Sequence, residues 1–254
     1  MTNQITKFLI TTNLITTNLT MMIQIMITKP VKYRHEFKHR ITKLDDYDLS
    51  KRLARLFKRD ANSDSHGSYR VSSLYFDTPY DKAMREKIAG VNKREKFRLR
   101  YYNNNVETVK LEKKSKHNNL STKRSSTLTK DEVRKILIGD IAFLLQSEDP
   151  LLVEFYSKIK TQLLAPKTVV VYDREAFIYE PGNCRITFDR NLKTSYSIHD
   201  FLNPDHFKYD ISEAITILEV KYDHFLPDIV KIAIQLKDRP ASAFSKYAVS
   251  RKYD

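Results

Sequence analysis

Cationic side chains recur at every second position of the segment REKFRLRYY, residues 94–102: Arg94, Lys96, Arg98 and Arg100. If the segment is a β-strand, all of them lie on one face, because side chains alternate between the two faces of a strand. Ammonium and guanidinium groups bind phosphate and carboxylate oxygens, and arginine does so with a planar fork of N–H donors. A strand face that holds only cations therefore predicts an anionic ligand that offsets the repulsion among them.

Other segments with strand periodicity also carry basic residues on one face and apolar residues on the other. The polar faces hold Arg34, Glu36 and Lys38 in RHEFK, Lys110, Glu112, Lys114 and Lys116 in KLEKKSK, Tyr172 and Arg174 in YDREAF, and Glu219 and Lys221 in ILEVKYD. One such strand is usually a solvated outer face, but a whole set favours a barrel that encloses a polar tunnel. The tunnel would focus positive potential on a linear polyanion, and its glutamates would share a hard divalent cation with phosphate oxygens.

The segments that would position these side chains are strands and a few helices. Strands, indicated by period-two alternation or by β-branched and aromatic residues, are predicted over Tyr33–Thr42, Tyr69–Phe76, Lys93–Tyr102, Thr108–Lys116, Lys167–Phe177, Arg185–Asp189 and Ala214–Asp223. Helices are predicted over Asp45–Lys58, Lys130–Ile138, Leu151–Leu163, Leu226–Leu236 and Ser242–Arg251. Thr129 and Glu132 would form a capping box for the second helix, and Pro150 would open the third. The predicted fold is α+β, a closed antiparallel β-barrel with helices packed outside.

Composition narrows the class of partner. The 254 residues carry a formal net charge of +14 and 41% of them are hydrophobic, as in a folded basic protein. Such a charge indicates nucleic acid, a membrane surface or polyphosphate. The single cysteine, Cys184, excludes an intrachain disulfide and a cysteine-based zinc cluster, and it suits a cytoplasmic location. The chain has 4 glycines and no GxGxxG or GxxxxGK motif, so a glycine-rich nucleotide loop is not expected.

Residues 1–30 differ from the rest of the chain. They are rich in Thr, Ile and Asn, and they contain no run of about twenty apolar residues that would span a membrane. Polar residues interrupt the apolar stretch, which argues against a signal peptide. We expect a disordered leader or a mis-assigned start, with Met21, Met22 and Met26 as alternative starts; an added edge strand is the rival interpretation. Residues 31–254 are predicted to form one domain.

Several short segments, taken in order, resemble the VTC domain, the polyphosphate polymerase domain of the vacuolar transporter chaperone family, within the triphosphate tunnel metalloenzyme (CYTH-like) superfamily. They are RHEFK, SLYFDTP, KFRLRYY, LEKKSK, STKRSS, VVYDREAF, RITFD, ILEVKYD and FSKY. The resemblance covers residues 33–250 and implies a tunnel of antiparallel strands, which agrees with the barrel inferred from the strand faces. It also implies that the protein makes polyphosphate from ATP with a divalent metal, Mn²⁺ or Mg²⁺.

The same resemblance implies roles for individual residues. The catalytic cations would be Lys38, Arg98, Arg100, Lys114 and Arg174. Substrate contacts would come from Lys123, Tyr172, Lys221, Ser245 and Lys246, and the metal ligands would be Glu219 and Glu36. Arg98 and Arg100 are expected to repel their neighbours in the free protein, so that replacing both with Ala should leave stability unchanged or slightly higher. Asp77 and Asp189 are expected to be structural carboxylates rather than ligands.

One departure from the superfamily bears on the reaction. Its triphosphate hydrolases typically begin with ExExK, whereas the matching stretch here is RHEFK, with Arg34 at the first glutamate position. This change removes a metal ligand and adds a cation, which favours a polymerase over a hydrolase. A tunnel triphosphatase and a non-catalytic polyphosphate-binding module are the alternatives.

The expected ligands are ATP or another triphosphate, and polyphosphate. A membrane partner that takes up the product is a further hypothesis. Nucleic acid is not expected, because a closed tunnel admits no duplex and the tunnel face lacks an aromatic row on which bases would stack.

Overall fold

The computed structural model describes residues 33–118, 120–213, 215–236 and 244–251. Within this part of the chain the strands are β1 (His35–Ile41), β2 (Lys58–Arg59), β3 (Ser68–Asp77), β4 (Arg94–Tyr102), β5 (Asn105–His117), β6 (Leu120–Thr129), β7 (Ala165–Tyr179), β8 (Cys184–Ser195), β9 (Tyr209–Asp210) and β10 (Thr216–Tyr222). The helices are α1 (Lys43–Leu56), α2 (Lys82–Ile88), α3 (Lys130–Ile138), α4 (Ala142–Leu145), α5 (Pro150–Gln162), α6 (Asp228–Ala233) and α7 (Lys246–Ser250). The leader predicted over residues 1–30 lies outside the described residues.

The strands form one antiparallel sheet in the order β1-β10-β8-β7-β3-β4-β5-β6, with β2 beside β7 and β9 beside β8. The sheet curls until its two edges approach each other. Arg34, just before β1, and Ser121 in β6 form an isolated bridge with backbone N···O distances of 3.2 and 3.3 Å. The sequence predicts a closed barrel; the structure corrects this to an open, curled sheet, because no longer ladder joins β1 to β6 in the described residues.

The apolar faces of the strands lie outward under the helices, as their alternation predicts. Phe97, Leu99 and Tyr101 of β4 are buried in a core shared with α3, α4 and α5, where the Phe97 ring stacks on Phe155. A second core joins α1 and α6 to β1, β8 and β10. Each fully buried side chain of this size contributes about 2 kcal/mol to stability. The cationic faces are therefore turned to the inner, concave side of the sheet.

Helix ends follow the capping signals in the sequence. The Thr129 hydroxyl accepts a hydrogen bond from the Glu132 N–H at 3.2 Å, and the Glu132 carboxylate accepts one from the Thr129 N–H at 2.7 Å. This is the predicted capping box, and it starts α3. Pro150 is the first residue of α5, as predicted, behind an Asp149 cap. None of the helices in the described part of the chain is long and apolar enough to cross a bilayer.

Five elements within the described residues have no counterpart in the prediction: β2, β6, β9, α2 and α4. β6, with the sequence LSTKRSSTLT, buries one residue, Leu128, so it shows no apolar alternation. α2 buries none of its residues. The strand predicted over Arg185–Asp189 extends to Ser195. The helices predicted over Leu226–Leu236 and Ser242–Arg251 are shorter, spanning α6 and α7 within the described residues.

Candidate functional site

A cavity of about 810 Å³ lies on the inner side of the sheet, against β1, β4, β5, α2 and α7. Its volume is typical of sites that bind small molecules. Seven basic side chains line it: Lys38, Arg40, Lys87, Arg94, Lys96, Lys114 and Lys116. Three carboxylates line it as well: Glu36, Glu95 and Glu213. The cavity is therefore suited to an anion.

The first charged group at this site surrounds two glutamates on adjacent strands. In the β1–β10 register Glu36 lies opposite Lys221, and Lys38 lies opposite Glu219. Lys38 Nζ lies 3.0 Å from Glu36 Oε1 and Lys221 Nζ lies 2.9 Å from Glu219 Oε1, while Lys114 reaches Glu36 from β5. Burial acts to raise the pKa of both carboxyls, but the three lysines hold each pKa well below its ordinary value. Both glutamates are therefore ionised at neutral pH.

The second charged group surrounds Glu112 of β5, which is 0% exposed. Arg98 lies opposite Glu112 in the β4–β5 register, and its Nε donates to Glu112 Oε2 at 2.7 Å. Lys123 Nζ donates to Oε1 at 2.9 Å, and Arg100 Nη1 lies 3.6 Å from Oε2. Burial acts to raise the pKa of Glu112, but these three cations hold it far below its ordinary value. Arg98 and Arg100 are thus not unpaired cations, which corrects the expectation that they only repel.

The third charged group surrounds Asp189 of β8. Arg174 of β7 binds it with both arms of its guanidinium, at 2.6 Å from Nε to Oδ1 and 2.8 Å from Nη2 to Oδ2. Lys246, the first residue of α7, also donates to Asp189. Burial acts to raise the pKa of Asp189, but these two cations lower it to about 2. Asp189 thus ties α7 to the inner face of the sheet.

Bridging contacts join the three groups. The Tyr172 hydroxyl accepts from Arg100 Nη2 at 3.2 Å and from Arg174 Nη2 at 3.3 Å. Arg174 Nη2 also lies 3.9 Å from Glu219 Oε2. The structure thereby brings these predicted site residues into one connected network: Glu36, Lys38, Arg98, Arg100, Lys114, Lys123, Tyr172, Arg174, Glu219, Lys221 and Lys246. Ser245, the remaining predicted residue, lines the cavity and caps α7 by accepting from the Ala248 N–H at 3.4 Å.

The sequence model of the VTC domain matches residues 33–253. The chain belongs to the VTC domain family. The resemblance carried by the short segments is thereby confirmed.

The solved structures that match this VTC domain are distant from it in sequence and in structure. The protein PH1012 from Pyrococcus horikoshii OT3 matches with a TM-score of 0.45 and 12% identity, over 85% of this chain and 98% of that one. A proposed adenylate cyclase from Bacillus halodurans matches with a TM-score of 0.44 and 13% identity, over 80% of this chain and 87% of that one. No curated protein matches the sequence.

Two carboxylates of this VTC domain lie where a divalent ion would find oxygen ligands. Among the described residues no group of three or more His, Cys, Asp or Glu side chains converges. Glu36 and Glu219 supply two carboxylates, and the buried Thr187 hydroxyl, directly opposite Glu219 across β8 and β10, has no hydrogen-bond partner. Mg²⁺ and ions like it are commonly held by one or two carboxylates, with water and phosphate oxygens as the other ligands. The residues present are therefore compatible with a divalent ion, for which Glu36 and Glu219 would be the protein ligands.

The inner face of the sheet also carries a cluster of tyrosines that was not predicted from the sequence. Tyr69, Tyr75 and Tyr172 are each at most 3% exposed. Residues of α7 lie against Tyr75 and Tyr172, and Tyr69 packs beside Tyr102. The Tyr247 ring of α7 stacks on Tyr75 at a centroid distance of 5.3 Å, and its hydroxyl donates to Asp77 at 2.8 Å. Because they are buried, these rings orient arginines and α7 and are not open to bases. Asp77 is structural, as expected, since it also accepts from backbone N–H groups that start α2.

Proposed function

We propose that this protein is a divalent-metal-dependent polyphosphate polymerase that transfers the γ-phosphoryl group of ATP to the end of a polyphosphate chain. The observation that carries the proposal is the excess of cations along the cavity, seven Lys and Arg side chains against three glutamates. Every phosphate of a polyphosphate chain is charged, so the chain complements a lining that is cationic along its length. In the reaction the bond between the β,γ-bridging oxygen and the γ-phosphorus breaks, a terminal chain oxygen bonds to that phosphorus, and ADP leaves.

Catalysis would consist mainly of positioning and charge stabilisation, as is general in phosphoryl transfer. A divalent ion held by Glu36 and Glu219 would neutralise charge on the transferred group. Lys38 and Lys114, next to this pair, would stabilise the oxygens of the same group. Arg98, Arg100 and Arg174 would bind phosphate oxygens with their planar forks. Lys123, Lys221, Ser245 and Lys246 would hold the rest of the triphosphate or of the chain.

Hydrolysis of a triphosphate is the less favoured reaction, because the attacking water needs a carboxylate that orients it. At the position where the triphosphate hydrolases of the superfamily have their first glutamate, this protein has Arg34, whose Nε lies 3.0 Å from Asp223 Oδ1. The test is to incubate the purified protein with ATP and Mn²⁺ and resolve the products by electrophoresis. Long polyphosphate supports the proposal. Release of orthophosphate alone, or binding without turnover, would replace it with a triphosphatase or a binding module.

Glu219→Gln tests the metal site. The substitution keeps the side-chain volume but removes the charge that a divalent ion requires, so we expect turnover at limiting Mn²⁺ to fall roughly 100-fold. Binding of tripolyphosphate without metal, measured by calorimetry, should persist. Glu107→Gln, which removes a charge from an exposed glutamate paired with Lys130, is the matched control. Unchanged turnover of Glu219→Gln at limiting Mn²⁺ would show that Glu219 is not a ligand.

A further inference from the structure

The second half of α1 and the residues that follow it form a basic segment outside the site described above. Residues 51–58, KRLARLFK, hold four cations and no carboxylate, and none of them lines the cavity. Leu53 and Phe57 pack in the core beneath the helix. The other long side chains of the segment are exposed: Lys51, Arg52, Arg55, Leu56 and Lys58. The outward side of α1 is therefore basic at this end.

Helix α6 lies beside this basic segment. The Arg52 guanidinium of α1 donates to the carbonyl of Ala233, the last residue of α6, at 3.3 Å. At the opposite end of α6, Pro227 lies at the β7–β8 turn, and Phe57 at the end of α1 packs against the same turn. The two helices share one core. They therefore run antiparallel, side by side, and present a common outer surface.

Exposed apolar side chains accompany the cations on that outer surface. Ile229 and Ile232 of α6 are 44% and 67% exposed, Phe225 just before α6 is 58% exposed, and Leu56 of α1 is 49% exposed. Residues three apart share one side of a helix, so the two isoleucines project together. We call the combined set the α1–α6 surface: Lys51, Arg52, Arg55, Leu56, Lys58, Phe225, Ile229 and Ile232.

Charge decides which partner suits this surface. It carries four cations, whereas the exposed carboxylates of the two helices are Asp48 and Asp228, and Asp228 pairs with Lys231 at 2.8 Å. A second copy of the chain would bring the same cations against each other, and lysine is depleted at protein–protein interfaces. Anionic lipid headgroups attract lysine and arginine, and apolar side chains among them insert at the boundary between headgroups and acyl chains. The mixture of residues therefore favours a lipid surface over a protein.

We infer that the α1–α6 surface binds the surface of anionic lipid bilayers. A membrane surface is one of the partners that the net charge indicates, and the polyphosphate site does not account for the cations on α1. Phe225, Ile229 and Ile232 enter the headgroup region, and the cations of α1 lie against the lipid phosphates and carboxylates. Because α1 and α6 pack on the outer face of the sheet, the cavity on the inner face lies on the side away from this contact. The inference does not depend on the proposed function.

Flotation with lipid vesicles tests the apolar part of the surface. One set of vesicles is an equal mixture of phosphatidylserine and phosphatidylcholine, and the other is phosphatidylcholine alone. We expect the protein to float with the first set and not with the second. Ile229→Ser/Ile232→Ser should weaken binding roughly tenfold, because less apolar surface leaves water. Ile138→Ser/Leu145→Ser replaces side chains that are 76% and 54% exposed on α3 and α4, and this control should bind like the parent.

A second pair of variants tests the charge. Arg55→Ala/Lys58→Ala should weaken binding to the mixed vesicles roughly tenfold, since both cations lie on the α1–α6 surface. Lys87→Ala/Lys116→Ala removes an equal charge from the cavity and should bind within about twofold of the parent, because these lysines lie away from the bilayer. Thermal melts check that every variant folds, which we expect because each replaced side chain is exposed or half-buried.

Three outcomes would overturn the inference. A parent protein that does not float with the mixed vesicles has no lipid-binding surface. Equal weakening by the cavity variant and by Arg55→Ala/Lys58→Ala would make the binding a general effect of net charge. A dimer in analytical ultracentrifugation that Ile229→Ser/Ile232→Ser abolishes would make the surface an interface between two copies of the chain. None of these measurements involves ATP turnover, so a failure of the proposed function is distinguishable from a failure of this inference.

Discussion

Glu112 determines how Arg98 and Arg100 are held in the absence of ligand. It is fully buried, and of its three cationic partners only Lys123 is largely exposed, at 52%. This carboxylate, together with the hydroxyls of Tyr75, Ser73 and Tyr172, fixes the orientation of the two guanidinium groups. Under the proposed function, a phosphate would meet arginines that are already oriented, which would reduce the entropy lost on binding.

Replacing Arg98 and Arg100 with Ala should therefore destabilise the free protein, contrary to the expectation from sequence alone. The double substitution leaves a buried carboxylate with Lys123 as its one cationic partner. Removing one side of a buried ion pair costs about 3–5 kcal/mol. Urea unfolding of the double variant should show a loss of this order, and adding Glu112→Gln should recover part of it. Equal or higher stability of the double variant would contradict the role given to Glu112.

The pH dependence of binding and of folding should have opposite signs between pH 7 and 9. Burial, with Lys114 and Arg98 nearby, lowers the pKa of Lys96 to about 7, and burial lowers that of Lys114 to about 8. A bound phosphate favours the protonated ammonium, so tripolyphosphate affinity should fall as pH rises through this window. In the unfolded chain lysine has a pKa of about 10.4, so the unfolded state binds more protons there and stability should rise with pH.

Calorimetry in buffers of different ionisation enthalpy, together with urea unfolding at several pH values, measures both trends. Lys96→Met should flatten each of them, since it removes the group with the lower pKa. An affinity that does not change between pH 7 and 9 would show that neither lysine titrates at the ligand.

Strand β4 has two different faces, an apolar face that packs in the core and a basic face on the opposite side. Its odd-numbered residues Phe97, Leu99 and Tyr101 pack under the helices, and its even-numbered residues face the inner side of the sheet. Leu99→Asp should prevent folding, because an unpaired charge in a core costs several kcal/mol. Lys110→Asp, at an exposed position on neighbouring β5, is the control and should fold. Circular dichroism and thermal melts distinguish the two; a folded Leu99→Asp would mean that the faces of β4 are reversed.

Elements could be predicted from the sequence where apolar alternation or capping residues were clear, and could not be predicted where both were missing. The faces of β4, the capping box at Thr129 and the start of α5 at Pro150 follow from local rules. Edge strand β6 escaped prediction because Ser, Thr and Lys show no apolar period there. The pairing of Arg98 with Glu112 depends on register, which a single strand does not specify. The open seam between β1 and β6 depends on curvature, which has no sequence signal in either strand.

Across the whole molecule cations outnumber carboxylates, and this holds at the centre of the site too, where eight Lys and Arg side chains surround Glu36, Glu112, Asp189 and Glu219. The chain carries a formal net charge of +14, yet each carboxylate at the centre of the site has cationic partners. The surplus includes Lys87, Arg94, Lys96 and Lys116 along the cavity. Net charge of this size opposes folding through self-repulsion and at the same time attracts polyanions.

Salt should therefore act in opposite directions on the free and the bound protein. Raising NaCl from about 50 to about 300 mM shortens the Debye length, which screens repulsion among the cations and should raise the Tm of the free protein. The same change weakens the attraction of phosphates, so the increase in Tm produced by a fixed concentration of long-chain polyphosphate should shrink, because that increase scales with affinity. Thermal melts at several salt concentrations, with and without polyphosphate, measure both effects. Glucose 6-phosphate at equal phosphate concentration is the control and should give little stabilisation at any salt. A polyphosphate-induced increase in Tm that does not depend on salt would show that the surplus charge has no part in binding.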